Sequence, residues 1–128
     1  TPLQWLRMDG VESIKYKQGY LRSRVKNKRL NLNFHNPYMS FVEGILSRGD
    51  RRLSEVIFYA FKNQARFDAW GNYFAFEKWQ EAFLKANIKA EIYLEEKPRD
   101  ARLPWDFIDA GLSKGELLGE FNKVIALK

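Results

Sequence analysis

The residues with the means to do chemistry in this chain are few, and their spacing limits what that chemistry is. His35 is the only histidine. A metal site wants further His or Cys ligands or a cluster of carboxylates, and none stands at ligand spacing from it. His35 therefore reads as a buried or turn-capping residue, or as a group facing a functional surface. Asp68, Asp106 and Asp109 could work as acids or bases. Each lies beside a turn or a helix start, where aspartate commonly caps main-chain NH groups. No Gly-rich phosphate loop and no GxSxG nucleophile elbow occurs. These residues form no self-contained active site.

The stronger signal is cationic. Net charge is +6; residues 1–66 carry 13 basic and 5 acidic side chains, 13 − 5 = +8, and residues 67–128 carry 9 and 11, 9 − 11 = −2. A basic half suits a polyanion, although charged helix faces often do no more than solubilise. Arg48, Arg51 and Arg52 flank a helix junction, and helix N-termini attract phosphate. Tyr16, Tyr20, Tyr38, Trp70 and Tyr73 can stack on bases where they are exposed. Aromatics on amphipathic helices usually face inward, so no more than two of these five are expected to be exposed for binding. RNA is accordingly a candidate partner. Arg48-Gly49-Asp50 is also an adhesion tripeptide, but apolar helical residues flank it on both sides. It reads instead as a glycine closing one helix and an aspartate capping the next.

The elements that must position these residues follow from composition and period. With 128 residues, 45% hydrophobic and 16% aromatic, the chain is large enough for one domain with a real core. It has no cysteine, hence no disulfide framework and no Cys-based metal site of its own. No apolar run approaches the roughly 18 residues of a membrane span. Residues 1–6 read as extended, with Asp9-Gly10 as a turn. Val11, Ile14, Leu21 and Val25 predict a helix over 11–27. Leu30, Leu32 and Phe34 alternate with asparagines and predict a strand over 29–35, ended by Asn36-Pro37. Together these three segments predict a βαβ-like unit. Ser40 and Glu43 form a capping box for a helix that closes at Gly49. Asp50 then caps a helix with Leu53, Val56, Ile57, Ala60 and Phe61 as its inner face. Phe76, Trp79 and Phe83 mark a helix that ends near Ala86. Residues 88–95 read as a strand or a helical turn, and 96–104 as a loop. Ser113 and Glu116 form a second capping box, opening a final helix with Leu117, Leu118, Phe121, Val124 and Ile125 inside. The expected class is α+β and helix-rich: four to five helices with two or three short strands.

Three stretches carry a family resemblance that spans nearly the whole chain. TPLQW (1–5) resembles the Thr-Pro-Phe-Gln-Trp segment at the end of the catalytic barrel in certain radical SAM enzymes. SFVEGILSRGDRRLSEVI (40–57) and ARFDAWGNYFAFEKWQEAF (65–83) resemble the region after that barrel. LPWDFIDAGLSKGELLGEF (103–121) is similar to a closing Pro-Trp-Asp-x-Ile-Asp-x-Gly-x-Ser-Lys segment. Order and spacing agree. Leu3 stands where the pattern has Phe, and Asn36 where it has Asp. Gly115 and Gly119 are additional helix-weakening residues in the last segment.

The resemblance implies the C-terminal accessory part of a radical SAM protein with an N-terminal cobalamin-binding-type domain. Residues 1–35 would be the tail of the barrel, and 40–128 a helical region packed on it. The chain opens with Thr1 rather than Met, as a piece of a longer protein would. The parent would bind a [4Fe-4S] cluster through a Cys-x3-Cys-x2-Cys loop and use S-adenosylmethionine, with or without cobalamin. Matching the family segments are Arg48, Asp50, Arg51, Arg52, Asp68, Trp70, Trp105, Asp106 and Asp109. They would form a polar surface that positions substrate, RNA among the possibilities, or else internal pairs that tie helix junctions together. Two other readings stay open: a stand-alone basic RNA-binding module, and a structural or oligomerising domain. With no secretory pattern at its start and no disulfides, the expected compartment is the cytoplasm.

Overall fold

A computed structural model describes residues 1–27, 29–66 and 68–127. The chain divides into two compact units, one formed by Thr1–Met8 with Glu95–Lys128 and the other by Asp9–Leu94. Among the described residues the secondary structure is helical throughout, with five α-helices and no strand.

The larger unit holds α1 (Val11–Arg24), α2 (Pro37–Arg48), α3 (Leu53–Lys62) and α4 (Phe76–Lys85), followed by a 3-10 turn over Ala90–Tyr93. α3 packs on α4, and α2 packs on α4 and on the 3-10 turn. Phe41, Ile45, Val56, Trp79, Phe83 and Tyr93 are buried there. α4 shows why the 3.6-residue period works: Trp79, Ala82 and Phe83 fall on one face and are the ones that are buried. Both α3 and α4 end at a left-handed residue, Gln64 (φ 62°) and Asn87 (φ 52°). Their following NH groups reach back to Ala60 and Phe83, which satisfies carbonyls at the helix ends.

The smaller unit joins the two ends of the chain. A 3-10 helix over Pro2–Trp5 packs on α5 (Lys114–Ala126). Trp5, Leu103 and Phe121 form its core, with the Trp5 and Phe121 rings edge to face at 5.4 Å. The Trp5 carbonyl accepts from Lys97 N at 2.9 Å. The Ser113–Glu116 capping box is formed in both directions.

Several expectations are overturned. The α+β class, its short strands and the βαβ-like unit are absent from the described residues. Residues 1–6 fold as a 3-10 helix, because Pro2 suits a first turn and Leu6 N bonds back to Leu3 O. Residues 29–35 keep an alternating pattern but meet no neighbouring strand. Leu30 and Leu32 are exposed, and Leu30 N closes a turn onto Asn27 O. Alternation alone does not make a strand when no ladder partner is present. The ambiguous segment 88–95 resolves as the 3-10 turn. Asn36-Pro37 does not end a strand. Asn36 is the N-cap of α2, its side chain accepting from Tyr38 N and Met39 N, and Pro37 takes the first helical position. That moves the helix start three residues ahead of Ser40, whose expected capping box with Glu43 is not used. On α3, Ile57 and Phe61 are exposed rather than part of the inner face.

Candidate functional site

Within each unit the singled-out residues sort into small local groups. The densest is the α2–α3 junction. Arg48, in the last turn of α2, is only 7% exposed, and its Nε donates to the Tyr93 carbonyl at 2.8 Å. Burial pushes its pKa down from the usual guanidinium value. Gly49 follows in an extended conformation (φ −79°, ψ 178°), not the left-handed one expected of a helix-closing glycine. It is glycine for lack of space: a Cβ there would collide with Leu53 Cδ1 and lie 2.9 Å from the Ile45 carbonyl oxygen.

Asp50 organises the start of α3. Its Oδ1 accepts from Arg52 N at 3.0 Å, a side-chain turn one step ahead of the helix. Arg52 also grips the carboxylate in a forked pair, Nε at 3.0 and 3.1 Å and Nη2 at 2.7 Å. The Tyr93 hydroxyl donates to Oδ1 at 3.3 Å. The Arg52 guanidinium, against the opposing effect of burial, holds the Asp50 carboxyl down at about 2. Burial, with the Asp50 charge beside it, pushes the Tyr93 phenol up. Arg51 is exposed and makes no side-chain ion pair or hydrogen bond among the described residues. Two of the three arginines thus act inside the molecule, and one faces solvent.

In the smaller unit Trp105 Nε1 donates to Gln4 Oε1 at 2.7 Å. Asp106 Oδ2 accepts from Leu103 N at 2.9 Å and from Lys114 Nζ at 2.7 Å. Lys114 is the main reason that carboxyl sits below its ordinary range. Asp109 Oδ1 accepts from Gly111 N at 2.9 Å in a turn where Gly111 takes φ +74°. Gln4, Trp105, Asp106, Ile108, Leu112 and Lys114 line an open recess of about 320 Å³.

The remaining residues are separate. Asp68 Oδ2 accepts from Trp79 Nε1 at 3.1 Å, while its Oδ1 is buried with no hydrogen-bond partner among the described residues. The Trp70 ring lies 6.1 Å from Tyr73. His35 is exposed, with Nε2 3.3 Å from Glu43 Oε2.

The expectation for the aromatics is also corrected. Four of the five are exposed: Tyr16 at 76%, Tyr20 at 50%, Trp70 at 62% and Tyr73 at 60%. Tyr38 alone is half-buried, its ring 4.7 Å from Phe76. α1 explains two of the four, for none of its residues is buried. Its inner side is held by polar contacts: Lys15 Nζ to the Tyr38 hydroxyl, Gln18 Nε2 to the His35 carbonyl, and Arg22 over the Phe34 ring at 4.9 Å. Sequence reasoning missed Tyr93, Gln4 and Lys114 as partners. Tyr93 and Gln4 act on residues far away along the chain, and Lys114 reaches Asp106 eight positions back across a loop.

Comparison with protein-family models, curated proteins and solved structures found no match to this chain. Among the described residues no group of three or more His, Asp or Glu is arranged to hold a metal ion. No helix among them is long and apolar enough to cross a membrane.

Proposed function

We propose that this chain is the C-terminal accessory region of a radical SAM enzyme, packing on the catalytic barrel and helping to position substrate. The observation that carries the reading is the joining of the chain ends. TPLQW and the segment from Leu103 to Phe121 bear the family resemblance from opposite termini, and they share one core through Trp5, Leu103 and Phe121. The Gln4–Trp105 hydrogen bond links the same two segments. A motif retained for folding would be expected to involve residues with such contacts.

The chain's own residues do not fit the cluster such an enzyme carries. It has no cysteine to ligate iron, so no radical step is assigned to it. Its contribution would be structural and positional, in a cytoplasmic protein where an oxygen-sensitive cluster survives.

The reading frame preceding the Thr1 codon tests this. The expected result is a Cys-x3-Cys-x2-Cys motif within a repeating βα pattern. The anaerobically purified full-length product should then convert S-adenosylmethionine to 5′-deoxyadenosine when reduced. A reading frame that holds no such motif overturns the proposal.

A further inference from the structure

We propose that the outward face of α1 and the described loop residues after it form a binding surface for single-stranded nucleic acid. Tyr16 and Tyr20 would stack on unpaired bases, and Arg24, Lys26 and Arg29 would contact phosphates.

Charge is the first argument. Residues 13–42 contain seven Lys and Arg and not one Asp or Glu. The nearest acidic groups are already engaged: Asp9 with Lys17, Glu12 with Lys15, and Glu43 beside His35. The field over this segment is therefore cationic, and a polyanion is its natural complement.

Geometry is the second. Tyr16 and Tyr20 are four residues apart and so share one side of the helix. Val11, Ile14, Gln18 and Val25, all partly buried, lie on the other. Arg24 sits over the Tyr20 ring, 5.3 Å from its centroid, which joins a planar cation to the exposed aromatic pair. Exposed aromatic rings beside unshared cations are what base stacking and phosphate contact require together. An anionic lipid surface fits less well. An interfacial helix needs an apolar face to bury in the bilayer, and the outward side of α1 carries tyrosines, serines and cations instead.

The proposal needs only the described chain and does not depend on the enzyme reading. Fluorescence anisotropy of labelled rU12 and dT12 with the purified chain tests it. Three phosphate contacts at about 0.7 each predict roughly twentyfold weaker binding between 50 and 200 mM KCl. Tyr16→Ala with Tyr20→Ala should weaken binding by about thirtyfold or more and leave the salt slope unchanged. Arg24→Ala should lower that slope by about 0.7. All three positions are exposed, so circular dichroism should show the variants folded. Tighter binding of rU12 assigns RNA, and equal binding assigns single strands of either sugar. No binding of either oligonucleotide at 50 mM KCl overturns the proposal. So does binding that heparin matches and the tyrosine variants do not weaken, because that is charge alone. A chain that binds phosphatidylserine vesicles but neither oligonucleotide also overturns it.

Discussion

At the α2–α3 junction Arg48 and Arg52 are tied to Tyr93 and Asp50, whereas on α1 Tyr16, Tyr20 and Arg24 face outward. Both places pair basic with aromatic residues, and the difference lies in the acceptors within reach. At the junction the Tyr93 carbonyl accepts from Arg48, and the Asp50 carboxylate accepts from Arg52 and from the Tyr93 hydroxyl. On α1 the acceptors lie at the N-terminal end and are taken by Lys15 and Lys17. An arginine beside a tyrosine is thus an internal tie or an outward-facing group according to what tertiary packing brings to it.

Substitutions that act on the two places should separate by size. The largest effect belongs to Arg48→Ala. It leaves the Tyr93 carbonyl without this donor and opens a void in the unit, for an expected loss of about 3 kcal/mol in urea unfolding. A loss below about 0.5 kcal/mol, the ordinary size for a surface position, would show that the junction is no tie.

A smaller effect belongs to Asp50. Its carboxyl titrates at about 2 in the fold against 3.8 ordinarily. Its contribution is therefore full above the unfolded value and disappears as pH falls from about 4 to about 2. Solvent at the exposed Arg52 screens the pair, so Asp50→Asn should cost about 1 kcal/mol at pH 5. The gap between wild type and variant should narrow as pH falls below about 4 and close only below about 2. A gap that stays constant with pH would assign the Asp50 effect to packing rather than charge.

The smallest is Arg24→Ala. Thermal unfolding should shift stability by no more than about 0.5 kcal/mol. A loss as large as that of Arg48→Ala would make α1 an internal tie as well, and the comparison would collapse.

Much of the helical framework was legible. The spacing of Phe76, Trp79 and Phe83 located α4, and Ser113 with Glu116 located the start of α5, because helix period and capping are short-range effects. The strands were misread because alternation at Leu30, Leu32 and Phe34 describes one strand and says nothing about a partner. The start of α2 was misread for a related reason. Asn36-Pro37 is both a turn signal and a cap followed by a favoured first helical residue, and only the direction of the chain afterwards decides between them. The candidate site was legible as a set of residue types. Its division into internal ties and free groups was not.

Composition and local pattern alone determined the asymmetric charge, the absence of any Cys-ligated centre, and the amphipathic faces of α4 and α5. These depend on residue identity or on contacts within a turn or two of helix. Tertiary structure alone decided that Tyr93 would meet Arg48 and Asp50, that Gln4 would meet Trp105, and that Tyr16 and Tyr20 would face outward. Those outcomes depend on which distant segments come into contact, and packing of the whole chain chooses that.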